Sequence, residues 1–340
     1  MNCTAINITS ASCGSLPYFP IPSAERLSPE LRAVFIFKIA VNAISCPLVV
    51  LLNTLVMAAV KTNRRLRSKS NVSLACLATT DLIVGLVVQP LQIAHHSFVL
   101  KGETGIICST LATIRVAVTT RCIITSLYHF VLLSAERYIA IKHSFAYENL
   151  VTEVRIIAAS GLAWAAAMIV PAEDFWPPNI QYVAILAVVI MQFISIVLVV
   201  YFNVSVYREV RRNEKQIIAN QVSVEVKEKL LKNKKAFYCT IIVLLTVFLC
   251  CFPANISTVI LISLEESIAI NVRNVIFHLL SLLPVLNSLF NPLIYAVRIR
   301  YFRVAFIQFL LRKTIVQAEQ LERNIFGPKQ VRVANVATAE

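Results

Sequence analysis

The sequence predicts an all-α membrane protein, a seven-transmembrane helix bundle with a short amphipathic helix after the last span. Three observations predict it. Hydrophobic residues make up 58% of the 340-residue chain and charged residues 15%, with a mean hydropathy of +0.73, against roughly 45–50% and 25% in soluble domains. Seven apolar runs exceed the ~18 residues that a helix needs to cross the hydrocarbon layer. The charge that remains is sorted by loop, basic on one side of the alternating runs and slightly acidic on the other. Six glycines in the whole chain are too few for the turns of a β-barrel or for a Gly-rich phosphate loop.

The runs lie at 33–60, 71–98, 106–141, 153–172, 179–207, 235–263 and 272–297. In lipid only helices or closed barrels satisfy the backbone, so each reads as a helix. Residues 1–32 form a short polar lead with Pro17, Pro20, Pro22 and Pro29, too small to fold alone. Its start, "MNCTAINITS", lacks the basic and apolar parts of a cleavable signal, so the first span is expected to direct insertion. Asn2-Cys3-Thr4 and Asn7-Ile8-Thr9 are glycosylation sequons. Those headed by Asn71, Asn203 and Asn255 fall in helices or at their inner ends and are read as decoys. "KTNRRLRSKS" at 61–70 is a tight basic turn. The third run carries Arg115, Arg121 and Arg137, so only its middle is lipid-like. Between the fifth and sixth runs, "YREVRRNEKQ" and "VKEKLLKNKKAFY" read as helical extensions of both neighbours. After the seventh, "RIRYFRVAFIQFLLRK" alternates cations with aromatics at helical spacing, as an inner-leaflet amphipathic helix does. The expected organisation is an extracellular N-terminus at 1–32, a seven-helix transmembrane domain with its inner-leaflet helix at 33–313 and a disordered cytoplasmic tail at 314–340.

Charge orients the bundle. The loops after the first, third and fifth runs and the tail after 297 hold 24 Lys/Arg and nine Asp/Glu; the N-terminus and the other loops hold four and seven. The positive-inside rule puts the N-terminus outside and the C-terminus in the cytosol of a multi-pass protein, here expected in the plasma membrane. The net charge of +14 is thus a topology signal, answered by anionic membrane lipid rather than by nucleic acid. Cys46, Cys76, Cys122, Cys239, Cys250 and Cys251 lie in helices and read as small buried residues. Cys3, Cys13 and Cys108 face the oxidising side. Three is odd, so at least one is free or pairs with another chain. No internal repeat, metal-ligand spacing, nucleophile–base pair or phosphate loop appears, which argues against a transporter and against an enzyme.

The last span, "HLLSLLPVLNSLFNPLIY", places Ser281, Pro284, Asn287, Ser288, Asn291 and Pro292 where leucines would serve. Pro284, Asn287/Ser288, Asn291 and Tyr295 fall on one helical stripe facing the bundle. The second span offers one acid, Asp81, and the third Ser126. Buried carboxylates need polar company. Asp81, Ser126, Asn287, Ser288 and Asn291 would make an oxygen-rich cage suited to Na⁺ and water, or alternatively a hydrogen-bonded network without an ion. At the end of the third span Glu136, Arg137 and Tyr138 stand in "SAERYIAI". The guanidinium there can exchange partners when neighbouring helices move.

Asn53 in the first span, "LATTD" in the second, "ERY" ending the third, Trp164 in the fourth, Tyr201 in the fifth, Pro253 in the sixth and "NPLIY" in the seventh together resemble the rhodopsin-like G-protein-coupled receptors, over roughly 33–313. The resemblance implies that Asp81, Ser126 and Asn291 form a sodium pocket. It implies that Arg137, Tyr201 and Tyr295 rearrange on activation, and that Phe145 plugs into a heterotrimeric G protein. There are departures. The sixth span has Cys250-Cys251-Phe252-Pro253 where the family has Cys-Trp-x-Pro, so the indole that commonly transmits ligand contact is missing. Phe193 stands where the fifth span often has proline. Asn233, Lys234 and Lys235 stand where some members have an acid that locks the arginine. Without that lock, basal activity is expected. Cys108 resembles the family's third-span cysteine, but "AEDFWPPNIQ" holds no partner for it. Cys3–Cys13, or either of them with Cys108, remain the pairings. The cysteine-free loop is similar to the melanocortin, cannabinoid and lysophospholipid branch. Cys108 to Arg137 is also four residues longer than usual, about one helical turn, so Arg115 and Thr119 both point where ligand contacts of the third span should.

The third span has no aspartate to grip an amine, and the seventh no lysine for a retinal Schiff base. Arg115 near the outer end favours a carboxylate or phosphate ligand, anionic or lipid-like. Headgroup contact or pairing with Glu103, Glu173 or Asp174 is the plainer alternative. Cys251, Asn255 and His278 complete the expected pocket, with His95 and His96 near the outer surface. The function read from the sequence is a receptor that passes an outer signal to a G protein by swinging the sixth span about Pro253. Two rivals stand beside it. A heteromer partner of receptor fold is suggested by the missing Trp, and a transporter around Asp81 would need broken helices and repeats.

Overall fold

The structure is a computed structural model; it describes residues 27–63, 66–103, 106–169, 178–219, 224–264 and 268–326. Asn2, Asn7, Cys3, Cys13 and the loop 170–177 lie outside the described residues, as do the side chains of Asn233, Lys234 and Lys235. Every regular element described is helical: α1 (Pro29–Thr62), α2 (Lys69–Ile83), a π-helical turn (Val84–Val88), α3 (Gln89–Lys101), α4 (Ile106–Lys142), α5 (Ser144–Leu150), α6 (Glu153–Ile169), α7 (Pro178–Ala219), α8 (Val224–Ser263), α9 (Ile270–Leu280), α10 (Leu283–Arg298), α11 (Arg300–Leu310) and α12 (Ile315–Phe326). Six stretches are long and apolar enough to cross a membrane, and the bent pair α5–α6 supplies the seventh. The protein is therefore a multi-pass membrane bundle. Its surface agrees, since Ile44, Leu162 and Leu249 are about two-thirds exposed (69%, 70% and 66%), as lipid-facing residues are.

Local chemistry starts and bends these helices. Ser28 accepts from the Leu31 amide at 3.3 Å with Pro29 in the first turn, and Ser68 accepts from the Asn71 amide at 3.3 Å. Gly102 ends α3 in the left-handed conformation, φ 77°. The second span winds through a π turn at Gly85. A Cβ there would meet Val50 Cγ2 at 2.9 Å and Val49 Cγ1 at 3.0 Å, so glycine permits the close approach of α1, and Cys46 Sγ reaches the Gly85 carbonyl at 3.2 Å. The seventh span breaks at Ser281–Leu282. Pro284 lacks an amide and its ring clashes with the preceding turn, while the Ser281 hydroxyl bonds back to the His278 carbonyl at 2.9 Å.

α4 is the axis, packed against α2, α3, α6, α7 and α8. Below its midpoint the main core gathers Leu74, Leu77, Leu127, Phe130, Tyr295 and Phe302. That half ends in α5, α11 and the long shafts of α7 and α8, and is called the basic end here. The extensions of the fifth and sixth spans and the amphipathic helix after the seventh are present as expected. α11 buries Phe302 and Phe306.

The tail departs from expectation. Residues 315–326, read as disordered, form α12. Thr314 and Gln317 cap it reciprocally: the Gln317 amide donates to Thr314 Oγ1 at 3.4 Å, and the Thr314 amide to Gln317 Oε1 at 3.2 Å. Ala318 is fully buried on α11. Glu322, 3% exposed, takes Arg300 Nε at 2.8 Å on one oxygen and Arg303 Nη2 at 2.8 Å on the other, and the Arg303 guanidinium covers the Phe326 ring at 4.9 Å. Burial pushes the Glu322 carboxyl up, but the hydrogen bonds and charges of Arg303 and Arg300 outweigh it and hold it below the usual range. A depressed folded value means that the stabilisation is full above the unfolded value, about 4.3, and is lost as pH falls through the folded one. Hydrogen exchange should therefore find α12 protected at neutral pH and open on acidification. Glu322→Ala should speed exchange in 315–326 by roughly tenfold or more at pH 7, since charged hydrogen bonds are worth about 1.5–3 kcal/mol.

Candidate functional site

Three groups of functional side chains lie along the bundle axis. The middle one is built on Asp81, which is wholly buried. The Ser288 hydroxyl donates to Oδ1 at 2.7 Å and the Asn291 amide to Oδ2 at 2.9 Å. Asn53 Nδ2 donates to the Ser288 carbonyl at 3.1 Å and so ties α1 to the same turn. The stripe read from the sequence does face inward, because Asn287, Ser288, Asn291 and Tyr295 are each 4% exposed or less. Ser126 and Asn287 do not bond Asp81 directly. With Ser288 they line an adjoining cavity of about 10 Å³, the space of a single water or small ion. Asn287 Oδ1 and Asn291 Oδ1 are buried without a hydrogen-bond partner. Unpaired amide oxygens on the stripe that bonds a carboxylate suit a hard cation of oxygen preference.

Away from the basic end, a cavity of about 160 Å³ opens between α4, α7, α8 and the seventh span. Arg115, Thr119, Cys251 and Asn255 line it, as the sequence suggested, and Gln92, Gln192 and Ser281 join them. Arg115 is 9% exposed, and Thr119 Oγ1 donates to its carbonyl at 2.6 Å. His278 does not line this cavity. It is turned behind it, edge-on to Phe35 at 5.0 Å. The two cavities share Thr119, Ile123, Cys251 and Pro284, so one layer of side chains separates them.

At the basic end Arg137 donates to the Ser70 hydroxyl, and its Nε stands 3.6 Å from Glu136 Oε2. The Tyr147 hydroxyl donates to Glu136 Oε1. Lys142 Nζ donates to the Tyr138 hydroxyl at 2.7 Å. Phe145 on α5 is fully exposed. Pro253 lies inside α8, and Pro292 lies inside α10 beside Asn291. Tyr295 packs on Phe302 at 6.0 Å. Tyr201 on α7 faces outward, 58% exposed. α7 instead presents Asn203, two residues and about 200° further round, whose amide donates to Ser134 at 3.0 Å.

Cys108 is disulfide-bonded, and Cys46, Cys76, Cys122, Cys250 and Cys251 are free, so its partner is a cysteine whose side chain the structure does not describe. Sequence reasoning did not pair Lys38 with Ser281, Tyr147 with Glu136, or Arg137 with Ser70. The Tyr147–Glu136 contact had one local signal, a tyrosine 11 positions after the acid, within reach of a short turn.

These features coincide with a known family. The chain matches the 7 transmembrane receptor (rhodopsin family) over residues 52–175 and 172–295. It belongs to that family of receptors. It is 28% identical over 216 residues to the histamine H4 receptor of Mus musculus, covering 58% of this chain and 50% of that protein. It is 32% identical over 117 residues to the histamine H2 receptor of Homo sapiens (34% and 31%) and 28% identical over 118 residues to the alpha-1D adrenergic receptor of Sus scrofa (35% and 20%). The chain thus spans half or less of the length of these curated relatives.

Removing the Ser288 hydroxyl tests the central group. Ser288→Ala leaves one Asp81 oxygen without its donor and should cost about 1.5–3 kcal/mol, read as a lowered Tm of the detergent-purified protein.

Proposed function

We propose that this protein is a plasma-membrane receptor that couples an outer ligand to a heterotrimeric G protein, with the basic end in the cytosol. The observation that carries it is the state of Arg137. Among the described residues its partners are a neutral hydroxyl, Ser70, and its own neighbour Glu136, neither of them on α8. Outward movement of α8 about Pro253 opens a cleft at the basic end. Arg137 and the basic feet of α7 and α8 meet the Gα C-terminal helix there, and exposed Phe145 offers the apolar contact. Asn233 in place of an acid supports basal activity. Recruitment of Gα-derived sensors in ligand-free cells should exceed that of mock-transfected cells and fall to background in Arg137→Ala. Equal signals from both versions would overturn the coupling. The heteromer reading, favoured by Cys251 where the family has Trp, gains only if recruitment requires a co-expressed receptor.

The ligand proposed is anionic or lipid-like. Arg115 enters a cavity whose remaining walls are largely apolar. Histamine does not carry over from the relatives, because α4 holds no acid before Glu136. The kinship with the melanocortin, cannabinoid and lysophospholipid branch rests on the cysteine-free loop and Phe193 alone.

Asp81, Ser126, Asn287, Ser288 and Asn291 fit Na⁺ as an allosteric ion. These side chains would hold the ion, which would supply a counter-charge to Asp81. The purified protein should melt higher in NaCl than in choline chloride of equal ionic strength, and Asp81→Asn should erase the difference. An undiminished difference in that variant would place the ion elsewhere.

A further inference from the structure

The half of the bundle away from the basic end buries basic chemistry that the central cage and Arg137 leave unused. Lys38 of α1 is 1% exposed, His96 of α3 0% and His278 of α9 2%. The two imidazoles stand 6.0 Å apart, with Phe35 between them at 4.9 and 5.0 Å. All four of their ring nitrogens are buried without a hydrogen-bond partner. Lys38 Nζ donates to the Ser281 hydroxyl at 2.9 Å, and Arg115 lies within electrostatic reach of both Lys38 and the imidazoles. The buried acids among the described residues are Asp81, Glu136 and Glu322, none of them on α1, α3 or α9.

An ammonium buried against one neutral hydroxyl has lost most of its hydration without replacement. Imidazole nitrogens without partners add to that cost. One anionic group would answer all three side chains, accepting from the ammonium and from an N–H of each ring. The cluster also adjoins a route for such a group. Ser281, the acceptor of Lys38, lines the 160 Å³ cavity, as does Gln92. Gln92 is joined to the Lys38 turn through Asn42, which donates to Gln92 Oε1 at 3.3 Å and to the Lys38 carbonyl at 2.8 Å. The far walls of the cavity, at Ile185, Val188 and Ile262, are apolar. We propose that Lys38, His96 and His278 form an anion subsite behind Ser281, which takes the acid group of a carboxylate ligand whose apolar part fills the cavity between α4, α7 and α8. The subsite rests on the reading of that cavity as the ligand pocket. The carboxylate has two sources, a long-chain acid from the membrane or a small soluble acid.

Thermal unfolding of the full chain in phosphatidylcholine nanodiscs separates them, with dodecanoate, methyl dodecanoate and acetate as probes. The expected result is a saturable rise in Tm with dodecanoate, none with the ester, and an apparent affinity weakened roughly tenfold or more by Lys38→Met. Lys38→Arg should keep most of it, and His96→Phe and His278→Phe should each weaken it. A saturable rise with acetate that shares the Lys38 dependence supports the same subsite and names the soluble source. Should Lys38→Met not fold, the acid–ester contrast in the unmodified chain and in Lys38→Arg decides. Ester binding equal to acid, dodecanoate affinity unchanged in Lys38→Met, or no stabilisation by either acid would overturn the proposal. Loss of binding in Arg115→Met with none in Lys38→Met would overturn the subsite alone and leave the cavity as the ligand pocket.

Discussion

The pairing of Asp81 with Ser288 and Asn291 is the constraint on which the bundle depends. A carboxylate at the middle of a membrane span must find donors, because lipid offers none and the penalty for an unpaired charge is several kcal/mol. Two donors one turn apart on α10 meet both oxygens, and this sets the rotation of α10 about its own axis. The same rotation turns Tyr295 into the core against Phe302, which seats α11 at the end of the bundle. Asn53 reads the same turn from α1. Three spans and the helix that follows them are thereby placed by one buried charge.

Much of this was legible in the sequence, for a physical reason. In a chain where lipid excludes polar residues, each exception stands out, and helical spacing says which exceptions share a face. Asp81, Asn287, Ser288 and Asn291 were readable on those terms, and so were Arg115, Thr119, Cys251 and Asn255 around the larger cavity. What was not legible depends on distance or on rotation. Lys38 is an evident oddity in the first span, yet Ser281 is 243 positions away, and no local pattern joins them. His278 was placed in the cavity from its depth, whereas the break at Ser281 turns it behind. α12 was missed because the segment is too polar to signal a span. Its signal was the short Thr314–Gln317 cap, which composition does not weigh.

The break in the seventh span divides labour along the axis. α10 below it is held by Asp81, and α9 above it packs on α1 and α8. Thr119, Ile123, Cys251 and Pro284 form the one layer between the two cavities. A change of packing above can therefore reach Asp81 through a single set of contacts, without a longer chain of intermediates. Pro253 and Pro284 lie on the two helices that flank this layer, where missing backbone hydrogen bonds make bending least costly.

The π turn at Val84–Val88 has an implication for how this architecture tolerates insertion and deletion. A π turn holds one residue more than the α-helix around it, and one residue is about 100° of rotation. The surplus residue sets the azimuth of everything after it on α3, including Gln92, His95 and His96, now all buried. A single deletion anywhere between Val84 and Val88 would leave the lower half of the second span in place and swing those three side chains toward lipid. The second span thus behaves as a two-part shaft with an adjustable coupling, whose chemistry toward the cavity can be re-indexed by one codon.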